Sequence, residues 1–328
     1  MSDSPLRWGL LSTANINKAL ITPLRASKRN ILTAAASRSL ASAEAYTRQW
    51  KIKRAFGSYE AMLADPDINV IYNPLPNHLH AEWSIRAAEA GKHVLCEKPL
   101  ALSLDEIDRM MAAARQNNVI IAEAFMYKHH PQTLKVLELI QQDAIGDLLL
   151  IKGAFTFNLD RPDDVRWVPE WGGGSIRDVG CYPISFARLV ADAEPVEVFG
   201  WQVTGSTGID VVFSGQLRFA SGLLAQFDCG FRAPYRTAME FVGTTGSIEL
   251  GSPFKPAGGE WIEIKRGDRV ELIESPRADH LYQGEIEDME RAVLDDQLPR
   301  ISLENSRGNV AAILALLESA RGGQVILV

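Results

Sequence analysis

Cysteine is scarce in this sequence, and what there is stands apart. Cys96, Cys181 and Cys229 are the whole complement among 328 residues. Thiols so separated make neither a disulfide framework nor a metal-type spacing, which excludes a stapled secreted scaffold and points to a reducing, cytoplasmic setting. No stretch approaches the roughly 20 apolar residues a membrane helix needs, so no membrane partner is expected. The start, Met1-Ser2-Asp3-Ser4-Pro5, lacks the basic and apolar regions of a secretory signal. Basic runs are missing too. Lys plus Arg is 34 and Asp plus Glu is 41, a net charge of −7, and that mild acidity argues against a nucleic-acid partner. Internal repeats, low-complexity tracts and long linkers are also absent. What is present is ordinary globular material, 46% hydrophobic, in a chain long enough for two cores.

The pattern changes near residue 125. Before it, short apolar runs at 7–11, 31–37, 70–73, 93–96 and 119–122 alternate with helix-forming segments at 41–50, 80–90 and 104–114. Leu104, Ile107, Met111 and Ala114 line one face of the last, and Ser103 with Glu106 supplies a capping box. Strands alternating with crossover helices predict an α/β domain over 1–125 with a doubly wound parallel sheet. The remainder, 126–328, reads as α+β: an open-faced, mostly antiparallel sheet with helices on one side. Leu217 and Phe219 alternate with polar neighbours, Ser221-Gly222 turns, and Ala225 and Phe227 alternate again. Ile262 and Ile264 answer Val270 and Leu272 across Gly267-Asp268. A helix near 285–294 and another over 303–320 close the chain, and the second could pack back toward the first domain.

Glycine is missing where a dinucleotide-binding turn normally needs it. The first strand runs into Ser12-Thr13-Ala14-Asn15-Ile16-Asn17, with Ser12, Ala14 and Asn17 in the places of G-x-G-x-x-G. By itself this segment reads as a strand-to-helix turn capped by Thr13 or Asn15. The second strand lacks the carboxylate that a NAD site places about 20 residues on to hold the ribose hydroxyls. Ser37-Arg38-Ser39 stands there instead, and a guanidinium flanked by hydroxyls suits a 2′-phosphate. NADP(H) is therefore favoured, with NAD(H) as the alternative.

Chemistry is concentrated in two places. Glu97-Lys98-Pro99 ends the apolar run His93-Val94-Leu95-Cys96, beyond the carboxyl end of a strand, where open sheets place ligands. Asp178 and Tyr182 stand four apart in Asp178-Val179-Gly180-Cys181-Tyr182-Pro183. A free tyrosine titrates near pH ~10, so as an acid/base near neutrality it needs a neighbouring cation, which Lys98 supplies. Asp178, one helical turn from Tyr182, is expected to face the same pocket and fix Lys98 or the substrate. Asn73-Pro74-Leu75-Pro76-Asn77, with His80 and Met126, is expected to border the cofactor beside Glu97. Phe155, Phe157, Arg161, Arg166, Trp167 and Trp171 form an aromatic and arginine set suited to a sugar or cyclic diol; Phe157, Arg161 and Trp167 are the substrate candidates. His78, His80, His129 and His130 have no converging cysteine or carboxylate set, so no metal is expected.

Arg7-Trp8-Gly9, the run from Ile71 to His80, the run Ala90-Gly91-Lys92-His93-Val94-Leu95-Cys96-Glu97-Lys98-Pro99 and Gly172-Gly173-Gly174-Ser175 together resemble the Gfo/Idh/MocA oxidoreductase family along the whole length. Many members carry Asp-x-Gly-x-His, and Tyr182 in the histidine place is similar to the branch with dimeric dihydrodiol dehydrogenases, NADP-dependent D-xylose dehydrogenases and glucose–fructose oxidoreductase. The resemblance implies a Rossmann domain, a nicotinamide cofactor, a cis Lys98-Pro99 peptide, and a homodimer through the C-terminal sheet or a higher assembly built on it. It implies hydride transfer at a sugar or cyclic diol, of D-xylose (aldose) 1-dehydrogenase or trans-dihydrodiol dehydrogenase type. Two other functions occur among relatives: NAD-dependent glycosidases that oxidise their sugar transiently, and non-catalytic dinucleotide-sensing regulators.

Overall fold

The computed structural model describes residues 4–328. Contacts divide the chain into two units, one holding the chain up to Met126 with Tyr282–Arg307, the other Tyr127–Leu281 with Gly308–Val328. In the first unit, β1 (Leu6–Leu11), α1 (Asn17–Ala26), β2 (Asn30–Ala36), α2 (Leu40–Trp50), β3 (Arg54–Phe56), α3 (Tyr59–Leu63), β4 (Val70–Asn73), α4 (His80–Glu89), β5 (His93–Glu97), α5 (Leu104–Gln116) and β6 (Ile121–Ala124) follow in turn. The strands are all parallel, in the order β3-β2-β1-β4-β5-β6. This is the doubly wound Rossmann arrangement, and its order reverses between β1 and β4.

Alternation along the strands builds a core on each face. Val94 and Cys96 of β5 face Ala87, Ile107 and Met110 of α4 and α5. Trp8, Leu10, Tyr72 and Leu95 face Leu20, Ile21 and Leu24 of α1. Helix α5 starts as its sequence predicts, with Ser103 Oγ accepting from the Glu106 amide at 3.2 Å. The Glu106 carboxylate reaches the Leu102 amide at 2.7 Å rather than the Ser103 amide.

The second unit begins within α6 (Met126–His129) and continues through α7 (Pro131–Gln141), β7 (Leu148–Asn158), α8 (Cys181–Ala191), β8 (Pro195–Thr204), β9 (Asp210–Phe219), β10 (Leu224–Gly230), β11 (Arg232–Gly243), β12 (Ser247–Leu250), β13 (Trp261–Arg266) and β14 (Arg269–Glu274). The chain then forms α9 (Gln283–Leu294), α10 (Leu303–Gly322) and β15 (Ile326–Leu327). One nine-stranded sheet results, ordered β14-β13-β12-β11-β7-β10-β9-β8-β15 and antiparallel except for β7 with β10. Val211, Phe213, Leu217 and Phe219 of β9 are buried on one face, while Val212, Ser214, Gln216 and Arg218 lie on the other, exposed.

Two features depart from the sequence pattern. Ile262 and Ile264 pair with Ile273 and Glu271, so Val270 and Leu272 point to the opposite, open face and are more than half exposed. A one-residue register difference decides the face. The other is α9, whose Ile286 and Met289 pack into the α1 side of the first core. Burying two such side chains is worth about 1.5–3 kcal/mol each, enough to bring the chain back to the first unit after Leu281. Among the described residues, no helix is long and apolar enough to cross a membrane.

Candidate active site

At the carboxyl edge of the parallel sheet, the loops after β1, β2, β4 and β5 surround the point where the strand order reverses, the usual ligand crevice of such sheets. Ser12 takes φ of 84°, the left-handed bend for which glycine was expected, and its hydroxyl accepts from the Ala14 amide at 3.2 Å. The Asn17 side chain donates to the Ser12 carbonyl at 3.0 Å. Neither Thr13 nor Asn15 caps α1, whose N-cap is Ile16 with no side-chain bond. The local turn is thus built without glycine and leaves the helix start free of a side-chain cap, where an anion is favoured.

After β2, the Ser37 amide bonds the Phe56 carbonyl at 3.0 Å, and Ser39 caps α2 by accepting from the Ser42 amide. Arg38 between them is exposed. The loop after β4 is fixed from inside. Buried Asn73 donates to the His80 carbonyl and the Ser84 hydroxyl, both at 3.1 Å, and accepts from the Leu75 amide at 3.3 Å. Pro76 leads into a single turn at Asn77–Leu79. His80 is 1% exposed, with Nδ1 2.8 Å from the Pro99 carbonyl and Nε2 2.7 Å from that of Leu75. Burial pulls its pKa down to about 4, against the two carbonyls and with help from Lys98. The neutral ring ties the β4 and β5 loops together. Met126 is buried at the end of this unit.

Glu97 and Lys98 are half-buried, and Lys98-Pro99 is cis. The phenol of fully buried Tyr72 donates to Glu97 Oε1 at 2.5 Å. Burial first, then the Glu97 charge, raise the Tyr72 pKa well above its usual value, so the phenol remains the donor. Glu123 accepts from the Leu100 amide at 2.9 Å and holds the far side of this loop.

In the second unit, Tyr182 sits in the first turn of α8, and Asp178 precedes it on a π-helical turn, Ile176–Gly180. The sequence suggested one unbroken α-helix from Ser175. The wider turn forms because the segment is held at both ends: Gly180 lies so close to Cys229 that a Cβ would stand 2.8 Å from its Sγ, and Asp210 of β9 grips the other end. The Asp210 carboxylate accepts from Ser175 Oγ at 2.6 Å and from the Ile176 amide at 2.7 Å. Burial still pushes its pKa up. Gly174, at φ of 114°, leaves room for this grip; a Cβ there would meet Asp210 Oδ1 at 2.1 Å. Such single π turns recur at functional sites.

Tyr182 is 4% exposed, its ring 5.3–5.8 Å from those of Phe254, Phe155 and Tyr127. Arg166 Nε donates to Asp178 Oδ2 at 2.6 Å and Nη1 to Asp164 Oδ1 at 3.0 Å. The Asp178 charge is the largest cause of the raised Arg166 pKa. Arg161 is exposed and pairs with Asp164 at 2.9 Å, and the Trp167 indole donates to the Arg161 carbonyl at 2.8 Å. Phe157 and Trp167 meet Phe231 edge to face, while Trp171 is exposed. Asp164, Asp210 and Tyr72 were not singled out from the sequence. An acid opening the apolar run at 209–213 was the available signal for Asp210. Among the described residues no group of His, Cys, Asp and Glu could hold a metal.

Residues 6–125 match a family described as oxidoreductases with an NAD-binding Rossmann fold, and residues 133–249 match the GFO/IDH/MocA C-terminal domain. An uncharacterized oxidoreductase, ORF334, of Rhizobium meliloti is 37% identical, covering 97% of this chain and 98% of that protein. A D-xylose 1-dehydrogenase (NADP(+)) of Haloferax volcanii is 35% identical over 98% of this chain and 99% of its own. The crystal structure of KijD10, a 3-ketoreductase from Actinomadura kijaniata in complex with NADP and TDP-benzene, superposes with a TM-score of 0.91 at 31% identity, covering 96% and 98% of the two chains. With relatives of that identity along almost its full length, and both domain patterns in sequence order, the chain belongs to the GFO/IDH/MocA family of oxidoreductases.

Proposed function

We propose that the protein is an NADP-dependent dehydrogenase or reductase acting at a hydroxyl or carbonyl of a sugar or cyclic diol, in a reducing cytoplasm. The observation that carries the reading is full-length similarity to the NADP-dependent D-xylose dehydrogenase, in a chain that keeps Lys98 and Tyr182. NADP(H), when bound, supplies or accepts the hydride. Ser12 to Ile16 and the start of α1 would hold its phosphates, and Arg38 with Ser37 its 2′-phosphate; Asn73, Leu75, Pro76, Asn77, Glu97 and Met126 would border its nicotinamide end. Tyr182 takes or gives the hydroxyl proton, and the Lys98 ammonium stabilises the phenolate and the substrate oxygen. Asp178, held by Arg166, positions this machinery. Because Arg161 and Arg166 already have carboxylate partners, they suit hydroxyl-rich neutral substrates better than phosphorylated ones. A panel of aldoses, inositols, cyclic diols and sugar phosphates, read at the nicotinamide absorbance band with both cofactors, tests this. Stoichiometric NADPH formation with a neutral aldose or diol is expected; aglycone release without net absorbance change, or no turnover by any member, would sink it.

We further infer a homodimer through the open face of the second unit's sheet. Trp201 and Val203 are exposed there beside a cavity of about 720 Å³ lined by Lys152, Gln226, Arg236, Glu240 and Trp261. Its charges are largely paired already, Lys152 with Glu240 at 2.8 Å and Lys265 with Glu249 at 2.6 Å. An apolar, charge-balanced sheet face suits a second copy. Sedimentation at micromolar concentration should show a dimer that Trp201→Arg dissociates; a wild-type monomer contradicts the inference.

A further inference from the structure

Beside Glu97 lies an acid that the mechanism does not use. Glu285 projects from the first turn of α9 and is 1% exposed, and neither carboxylate oxygen has a hydrogen-bond partner. It lies on the same side of the helix as Met289, one turn on, which packs into the first core. The groups near enough to act on it and on Tyr72 are Glu97 of β5, Tyr72 of β4 and Tyr282 at the N-cap of α9. None is a cation.

We propose that Glu285 is a neutral carboxylic acid that leaves Glu97 the only anion of the pair, and that this acid positions the loop carrying Lys98. The inference rests on the reading of Lys98 as part of the active site. Two carboxyl groups close together and out of water cannot both ionise, so one keeps its proton. Geometry decides which. Glu97 accepts the Tyr72 phenol at 2.5 Å, the length of a hydrogen bond to an ionised oxygen. Glu285 has no donor to stabilise a charge, and burial followed by the Glu97 charge raises its pKa well above the carboxylate range. The pair then carries one negative charge next to the Lys98 ammonium. Ionising Glu285 doubles that charge and draws the ammonium toward the sheet.

A raised folded-state pKa has a definite sign in stability. The folded protein binds a proton that the unfolded chain, titrating near pH ~4.3, gives up. Glu285 therefore costs stability as pH rises above that value, and the cost disappears in acid. Glu285→Gln in the full-length protein should melt several degrees above wild type at about pH 8, with the difference vanishing toward about pH 4.5. Its infrared spectrum should lack a protonated-carboxyl band that wild type shows at neutral pH. Equal or lower melting at the higher pH, or no such band, overturns the proposal. The positioning role is read separately. Glu285→Leu should lower kcat on the order of 10-fold with little change in KM or melting temperature, and Glu285→Gln should restore most of it. Wild-type kcat in the Leu variant removes the role. If wild type turns over no substrate, the enzyme reading fails while melting and infrared still decide where the proton is.

Discussion

Tyr182→Phe is expected to lower kcat by about 100- to 10,000-fold, the usual contribution of a positioned acid/base, while NADPH binding stays within a few-fold of wild type. The substitution isolates the hydroxyl. Ring packing against Phe155, Phe254 and Tyr127 is the same for Phe, so the α8 turn and its clamp at Asp210 survive. Steady-state rates on the best substrate and fluorescence titration of NADPH separate the two effects. Turnover like wild type removes Tyr182 from the chemistry; a parallel loss of cofactor binding makes it structural.

Arg38→Asp should reverse cofactor preference. A guanidinium to a phosphate forms charge-assisted hydrogen bonds worth about 1.5–3 kcal/mol, so removing it costs NADP(H) on the order of 10- to 100-fold in affinity. The carboxylate adds repulsion of the 2′-phosphate and an acceptor for a free ribose hydroxyl, which NAD(H) can use. Arg38 is exposed, and Ser39 holds the α2 start independently of it, so the fold should tolerate the change. Dissociation constants for both cofactors decide. Equal losses defeat the 2′-phosphate argument.

Much of this molecule can be read from local pattern. The six parallel strands follow from short apolar runs separated by helical periods, and the cis Lys98-Pro99 peptide and the helix bearing Tyr182 stand where the motifs put them. What local pattern misses is decided by distant partners. The π turn at Ile176–Gly180 depends on Asp210 and Cys229, which lie more than thirty positions downstream. The exposed side of Val270 and Leu272 depends on register across a hairpin, which composition at the turn does not settle. Ser12 adopts a glycine-like bend because Asn17 and its own hydroxyl brace it, so a missing glycine misleads a search for the motif. Glu285 carried a signal, an acid one turn before Met289 on the buried side of α9, but only the sheet it docks on gives that acid neighbours.

The return of α9 to the first unit has a practical result for anyone dividing the gene. The backbone passes between the units after Met126, after Leu281 and after Arg307. A recombinant piece stopping at Met126 leaves Leu20, Ile21 and Leu24 without the Ile286 and Met289 that share their core. Grafting the nucleotide module onto another enzyme therefore means carrying a discontinuous cassette, with residues 282–307 spliced back in.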